Sequence, residues 1–542
     1  MAGIAVGDAS SDNPFPHPEQ AMRILALDGI HADGLKLFTD AGYDVAVADP
    51  IKDPKQLAQR LEGIDAVLVR SATNVTAEAI ANATQLKVIG RAGAGVDTID
   101  VDAATARGIA VMNAPDGNTL AAAEHAVSLL FALARHIPRA DAGMKAGEWP
   151  KAGLTGFELE GKRLGVIGLG RIGATVARKA AGIGMEVAAF DPFLPPSAAG
   201  RMSVPMKSLD ELLAWADIVT LHIPRTKETT NLIGEEQMRR MKKGAYLINA
   251  ARGGLVDEDA LLKLLDEGHL AGAALDTFVT EPLQKDSPLR NNPKLILTPH
   301  LGASTSEAQQ AVSTILARQM IDFLETGAVA GCVNLPPLSA EAAREVGPWM
   351  PLMSALGKLA ARLVPAPSKL QVTYAGRTQA LDTRPLTRLL VAALLGPASG
   401  RVTPVNALQE AAARGLQVAE TLGGDGDGFD RLLRIRVEGE GGVAREIEAT
   451  LHRGPRVVRL DGVELDFDPL GHVLLMRNED RPGVIGLVGS HLGAAGINIV
   501  NFSLGSTGDG GAVAAITVDR EVPQAQLASL RGIAGIVAME QV

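Results

Sequence analysis

RLGVIGLGRIGATVARKAAGIGMEVAAFD, Arg163 to Asp191, is the stretch whose reading decides the fold. The apolar run Leu164 to Ile167 has the length and composition of a buried parallel strand. Gly168, Gly170 and Gly173 follow as G-x-G-x-x-G, and a helix is expected from about Ile172 to Ala181. A second apolar run, Val187 to Phe190, ends on Asp191. Strand, glycine turn, helix, strand and terminal acid together form the setting that a dinucleotide needs. Gly168 permits the tight turn, Gly170 leaves a pyrophosphate room to approach the backbone, and Gly173 lets helix and strand pack closely. The helix start offers free N–H groups and a partial positive charge. Asp191 stands where a carboxylate accepts ribose hydroxyls and repels a 2′-phosphate, so NAD is expected rather than NADP.

Around this stretch the chain alternates strands and helices. Before it, strands are expected at Arg23–Leu27, Asp44–Val47, Ala66–Val69, Lys87–Ile89 and Ile109–Met112, with a parallel sheet as the outcome. That sheet has no phosphate-binding glycine fingerprint after its first strand, which makes it a substrate half. Arg70 and Ser71 follow one strand end; RAGAGVD, Arg91 to Asp97, follows the next and includes Gly95 in a turn suited to hold an anion. Asn118 to Arg135 reads as a long apolar helix crossing between two sheets, with His125 as a hydrogen-bonded core or interface histidine and Arg135 and Arg139 as solvated bases.

After the fingerprint, strand ends again carry polar groups: Thr220, His222, Arg252, Asp276, Glu281 and His300. Ligands bind outside the carboxyl ends of the strands in a doubly wound sheet, so these residues are expected to converge on one cleft. His300 is the candidate general base, and Glu281 the carboxylate that fixes its tautomer and raises its basicity. Arg252 is the candidate grip for a substrate carboxylate, and Asp276 the candidate partner of a nicotinamide carboxamide. The chemistry this set suits is oxidation of an alcohol alpha to a carboxylate. A helix over about residues 304–327 is expected to return to the first sheet, and GCVNLPP, Gly331 to Pro337, to leave as an extended linker.

The bulk numbers set bounds. A chain of 542 residues accommodates about three to four domains, and its 46% apolar content suffices for large cores. A net charge of −10 argues against nucleic acid and anionic membranes as partners, though a local arginine cluster still admits a small anion. The single cysteine, Cys332, excludes an intrachain disulfide framework or thiolate metal site and is expected to be buried; no metal site is expected elsewhere. No run of 18 apolar residues is present. Residues 1–20 read as a disordered tail without the pattern of a signal peptide, and the protein as cytoplasmic.

Beyond residue 338 the character changes. Alternating, hairpin-like strands mix with two helices up to Phe467, a flexible loop is expected at GGDGDG (423–428), and no catalytic constellation stands out; a structural or assembly domain is expected. From His472 the order is β–α–β–β–α–β, a ferredoxin-like split unit, with Pro482 as the first helical position of its first helix.

The motifs GLGRIG, NAARGGLVDE, ALDTFVTEP and TPHLGAST make the chain resemble the D-isomer-specific 2-hydroxyacid dehydrogenase family over residues 22–335. The resemblance implies Arg252, Glu281 and His300 as catalytic residues. It implies cofactor contacts from Gly168, Gly170, Arg171, Ile172, Gly173, Asp191, Thr220, Ala250, Ala251, Arg252, Asp276, His300, Gly302 and Ala303. The substrate stretches and NEDRPGVI…GINIVNFSLG are similar to long-form members that oxidise 3-phosphoglycerate to 3-phosphooxypyruvate and end in an ACT domain. That likeness implies a substrate site from Arg70, Ser71, Arg91, Gly95, Arg252 and His300, with Arg135 or Arg139 added by a neighbouring subunit. It implies L-serine as effector at Asn478, Asp480 and Asn498, and a homotetramer.

The expected architecture is α/β. A Rossmann-type NAD domain (119–300) is inserted in a flavodoxin-like substrate domain (21–118 and 301–335), followed by an α+β intervening domain (336–468) and a ferredoxin-like ACT domain (469–542). Two competing readings are a glyoxylate or hydroxypyruvate reductase of the same family, and an NAD-sensing regulatory binding protein.

Overall fold

The computed structural model describes residues 21–194, 204–327, 329–336, 338, 340–396, 401–508 and 510–542. The expectation for residues 1–20 lies outside the described residues.

The first sheet takes β1 (Arg23–Ala26), β2 (Asp44–Val47), β3 (Ala66–Val69), β4 (Val88–Arg91) and β5 (Ala110–Asn113) in the order 2-1-3-4-5. Every pairing is parallel, so this is the expected flavodoxin-like order. Ala66–Val69 is buried throughout, as a strand covered on both faces must be.

The second sheet holds β6 (Arg163–Ile167), β7 (Glu186–Phe190), β8 (Ile218–Leu221), β9 (Ala245–Asn249), β10 (Leu270–Leu275) and β11 (Leu295–Leu297) in the order 11-10-9-8-6-7, again all parallel. Beyond β7 the place of a further Rossmann strand is taken by one parallel bridge, Ala189 to Met206.

Two long helices join the sheets as expected. Thr119–Arg135 buries Ala123, Ala126, Leu130 and Leu133 against Leu164, Val166 and Val176 of the second sheet's layer. Ser306–Thr326 returns to the first sheet, where Leu316 and Met320 close over Gly90 and Ser313 over Gly34, positions with no room for a Cβ. The linker after it is pinned rather than loose. Val333 N–H donates to Val111 O, and Asn334 reaches Val111 N and Ile109 O on β5.

The third sheet runs β13 (Gln417–Leu422), β12 (Pro367–Gly376), β14 (Arg431–Gly439), β15 (Ala444–Leu451), β16 (Pro455–Leu460) and β17 (Val463–Phe467). The hairpins are as expected. The parallel edge strand β13 and the helix Met350–Leu363 are additions that the sequence reading did not contain.

The last sheet, β18 (His472–Glu479), β19 (Ile499–Ser506), β20 (Gly511–Val518) and β21 (Ile536–Gln541), has the ferredoxin-like order 19-20-18-21. Its first helix begins at Val484, two residues later than expected. Gly483, at φ +97°, caps it, so Pro482 precedes the helix instead of opening it. One face of this sheet is covered by its own helices. The other places Val473, Leu475, Val513 and Ala515 in one continuous core with Leu465 and Phe467 of the third sheet.

Candidate active site

The glycine fingerprint sits between β6 and the helix Arg171–Gly182, as its spacing requires. Gly168 has φ +93°, and a Cβ there would stand 2.6 Å from His222 O. A Cβ at Gly173 would stand 1.9 Å from Gly168 O, which fixes the close helix–strand approach. A Cβ at Gly170 would meet nothing within 4 Å, so the surface over the turn is open to a ligand. Asp191 Oδ2 accepts from Leu169 N–H at 2.7 Å and Oδ1 from Phe193 N–H at 2.8 Å. Each oxygen keeps a lone pair for a ribose hydroxyl. These residues fit a dinucleotide.

Arg171 pairs with Asp116 at 2.6 Å, across the junction where the chain leaves the first sheet. Thr220 Oγ1 lies 3.0 Å from His222 Nε2. Burial pushes the His222 imidazole down to about 4, so it is neutral beneath the glycine turn.

The catalytic candidates stand on adjoining strand ends. β9 ends in Asn249, whose Oδ1 accepts from Ala251 N–H and whose Nδ2 donates to Arg252 O, stapling the turn that presents Arg252. Arg252 reaches across the cleft: its Nε donates to Asp97 Oδ2 at 3.0 Å and its Nη1 to Ala251 O at 2.7 Å. Arg91 Nε donates to Arg70 O at 3.3 Å. Gly93 and Gly95 make this approach possible, since Cβ atoms there would stand 2.3 Å from Arg91 Nη1 and 2.1 Å from Arg252 Nη2. Burial, with the charges of Arg252 and Arg70, lowers the Arg91 guanidinium to about 10; Asp97 and Asp28 oppose the shift. Arg70 and Arg252 are thus close enough for their charges to act on Arg91, with Asp97 and Asp28 as counter-charges, and Ser71 is exposed.

His300 Nδ1 lies 2.7 Å from Glu281 Oε2. A carboxylate there favours the tautomer with hydrogen on Nδ1, which leaves the Nε2 lone pair for a substrate proton. Burial pushes the Glu281 carboxyl up, and the hydrogen bonds from His300 and the Phe278 N–H outweigh it, holding it below the usual value. His300 itself has φ +55°, with its N–H donating to Asp276 O. The Asp276 side chain is fully buried: Oδ1 accepts from Thr298 and Leu301 N–H and lies 3.1 Å from His125, and Oδ2 accepts from Gly302 N–H. It thus holds the turn that carries His300. Burial raises the Asp276 carboxyl, and these bonds bring it below its ordinary value. His125, partly buried, is hydrogen-bonded to Thr298 and Asp276, within the expectation of a core or interface histidine.

Three contributors were missed in the sequence. Asp28 accepts from the N–H groups of Arg70, Ala72 and Thr73, so it shapes the turn behind Arg70. Asp97 and Asn249 are the others. The one local signal was Asp28 before Gly29 at a strand end, an arrangement typical of a tight turn. Among the described residues no cluster suited to a metal ion is present.

In the last domain Asn478 is buried on β18, with its Oδ1 unpartnered among the described residues, and Asp480 is exposed beside it. Asn498 lies at the other end of the sheet. Its neighbour Ile499 pairs with Val518, which pairs with His472. The register separates the two positions by about 20 Å within one chain.

A doubly wound cofactor domain inserted in a second parallel sheet, with an arginine and a carboxylate–histidine pair at the shared cleft, defines a class of dehydrogenases. Residues 127–302 match the family model "D-isomer specific 2-hydroxyacid dehydrogenase, NAD binding domain", 345–461 match "D-3-phosphoglycerate dehydrogenase intervening domain", and 472–535 match "ACT domain". The chain belongs to the D-isomer-specific 2-hydroxyacid dehydrogenase family, and it binds NAD. It is 38% identical to D-3-phosphoglycerate dehydrogenase of Bacillus subtilis, over 96% of this chain and 99% of that one. It is 39% identical to the protein of that name in Archaeoglobus fulgidus, over 90% and 93% of the two chains. Among solved structures, the TT0316 protein from Thermus thermophilus superimposes with a TM-score of 0.54 at 35% identity, covering 58% of this chain and all of that one. A glyoxylate reductase from Paecilomyes thermophila does so with a TM-score of 0.53 at 31% identity, covering 58% and 98%.

Proposed function

We propose that this chain catalyses the NAD-dependent oxidation of 3-phospho-D-glycerate to 3-phosphooxypyruvate, the first step of the phosphorylated route to L-serine. The observation that carries the reading is the group of Arg70, Arg91 and Arg252, whose charges act together at the Gly93–Gly95 turn, with the Arg252 turn packed through Gly253 on the loop that carries Glu281, the partner of His300. Two anionic ends need two grips. Arg252, across the cleft and next to the dyad, takes the carboxylate. Arg70 and Arg91, on the substrate domain, take the phosphate, with Ser71 beside them. His300 Nε2 removes the proton from the C2 hydroxyl, and Glu281 stabilises the imidazolium that forms. Arg252 polarises the carboxylate and the carbonyl developing next to it. NAD, when bound, would supply the acceptor for the hydride of C2. Gly168 to Gly173, Asp191, Arg171, Ile172, Thr220, Ala250, Ala251, Gly302 and Ala303 are the residues that would hold it, with Asp276 behind the last turn.

The same motifs over the first two sheets fit a glyoxylate or hydroxypyruvate reductase, but such a substrate has no phosphate to occupy Arg70 and Arg91. An NAD-sensing regulator would retain the dyad without turnover. Appearance of NADH absorbance with 3-phosphoglycerate supports the enzymatic reading, and no NADH from any 2-hydroxy acid overturns it.

L-serine is the effector in this proposal, bound at the ACT domain by Asn478 and Asp480 of one copy and Asn498 of a second, since one chain holds them far apart. The unpartnered Asn478 Oδ1 and the exposed Val500, Leu504 and Val537 support a ligand and a partner there. A homotetramer is proposed, with the helix Thr119–Arg135 and the segment after it as a second contact. Leu120, Phe131, Ile137, Met144 and Trp149 are exposed along it, a run of apolar surface suited to burial against another copy. Arg135 and Arg139 are exposed next to it. Among the described residues no single helix is long and apolar enough to cross a membrane. The cytoplasm is the proposed location, supported by a single cysteine that is buried and unpaired.

A further inference from the structure

We propose that Glu258 is a positioning residue for the proton-transfer pair, holding the loop that aims Glu281 at His300 and lending it negative charge from behind. The inference rests on the dehydrogenase reading above. The loop between β10 and Pro282 is fixed by two carboxylates on successive amides. Phe278 N–H donates to Glu281 Oε1 at 3.0 Å, and Val279 N–H donates to Glu258 Oε1 at 2.7 Å. The first bond belongs to the catalytic glutamate itself. The second comes from another element, the first residue of the helix Glu258–Asp266, which follows the Arg252 turn by one short segment. Gly253 completes the unit, because Phe278 O stands 1.8 Å from where its Cβ would be. Arg252, Glu258 and Glu281 are thus tied together, and a shift of one moves the others.

Glu258 is half-buried, and among the described residues no cation pairs with it. Its charge is tolerated because it opens a helix, where free N–H groups favour an anion. Burial pushes its carboxyl above the usual range, the Val279 N–H opposes this, and Asp259, Asp257 and Glu281 push it further up. The charges that act on Glu258 are Asp257 and Asp259 of its own helix segment and Glu281 of the facing loop, and those that act on Glu281 are His300 and Asp276, the latter paired with His125. Glu258 is the carboxylate of this set that is both coupled to Glu281 by charge and bonded to its loop.

The full-length chain with NAD and 3-phosphoglycerate supplies the test, read as the pH profile of kcat/KM. Glu258→Gln retains an oxygen for the Val279 amide and removes the charge. Its acid limb is expected to move to lower pH by about half a unit, with plateau kcat reduced about threefold to tenfold and the KM for NAD unchanged. Glu258→Ala removes the bond as well and is expected to lower kcat about tenfold further. A Glu258→Gln profile that superimposes on the wild type overturns the inference. Absence of turnover by the wild type would instead overturn the dehydrogenase reading, so the two failures are distinct. A melting temperature for Glu258→Gln within a few degrees of the wild type confirms that a folded protein is being compared.

Discussion

His300 shows how much a single residue depends on its surroundings. Its backbone lies in the left-handed region, its N–H is held by Asp276 O, and its Nδ1 by Glu281. Replacing it by Asn removes the base and leaves the turn's hydrogen bonds intact. The expected result is a kcat lower by about 10² to 10⁴ with NAD affinity unchanged, read by steady-state kinetics and cofactor titration. Turnover within a few-fold of the wild type would reject His300 as base. The placement of Arg252, Glu281 and His300 at strand ends, and the pairing of the last two, were legible in the sequence because polar groups that close apolar strands stand out there. Asp28 and Asp97 were not, since an aspartate's partners are set by tertiary contacts: Asp28 by amides more than 40 positions away, Asp97 by Arg252 from the other domain.

At the level of elements, the glycine turns are the joints on which the site closes. Gly253 has ordinary backbone angles but no space, with Phe278 O inside the radius of any Cβ. Gly253→Ala is expected to push the Phe278–Glu281 loop away from Arg252 and to lower kcat/KM by tenfold or more, while dinucleotide binding at Gly168–Gly173 persists. Wild-type kcat/KM in this variant would show that the loop is free to shift. Buried parallel strands and the two crossing helices were legible because continuous apolar runs and helical periodicity both survive on the page. The edge strand Gln417–Leu422 was not, because its residues are mostly exposed and carry no alternation; only pairing with Pro367–Gly376 defines it. The helix Met350–Leu363 was hidden by Pro351, which sits at its tolerant first turn rather than breaking it. At Gly483 a positive φ, which no pattern of hydrophobicity reports, moved the start of the helix.

On the scale of the whole molecule, the ACT domain is not a detachable bead. Its sheet shares a core with the intervening domain through Val473, Leu475, Leu465 and Phe467, so a change at Asn478, the effector position proposed above, would have a packed route into the chain. The catalytic half has its own global dependence on pH. Asp276 and Glu281 are both held below their ordinary carboxyl values in the folded state. Such groups contribute stability that is present above the unfolded value, near 4, and lost as pH falls through the lower folded value. The melting temperature of the catalytic half is therefore expected to decline from about pH 5 towards pH 3. Asp276→Asn should start lower and decline less steeply, and parallel slopes for the two proteins would contradict the assignment.

The central claim is that the arginines around Gly93–Gly95 read a phosphate while His300 and Arg252 act on a 2-hydroxy acid. The direct measurement is the ratio of kcat/KM for 3-phospho-D-glycerate to that for D-glycerate, in the wild type and in Arg70→Gln. One charge-assisted hydrogen bond is worth about 1.5–3 kcal/mol, or about tenfold to a hundredfold. The wild type is expected to prefer the phosphorylated acid by at least about a hundredfold, and Arg70→Gln to lose tenfold or more of that preference with glycerate turnover little changed. Equal efficiency on the two acids in the wild type would contradict the account.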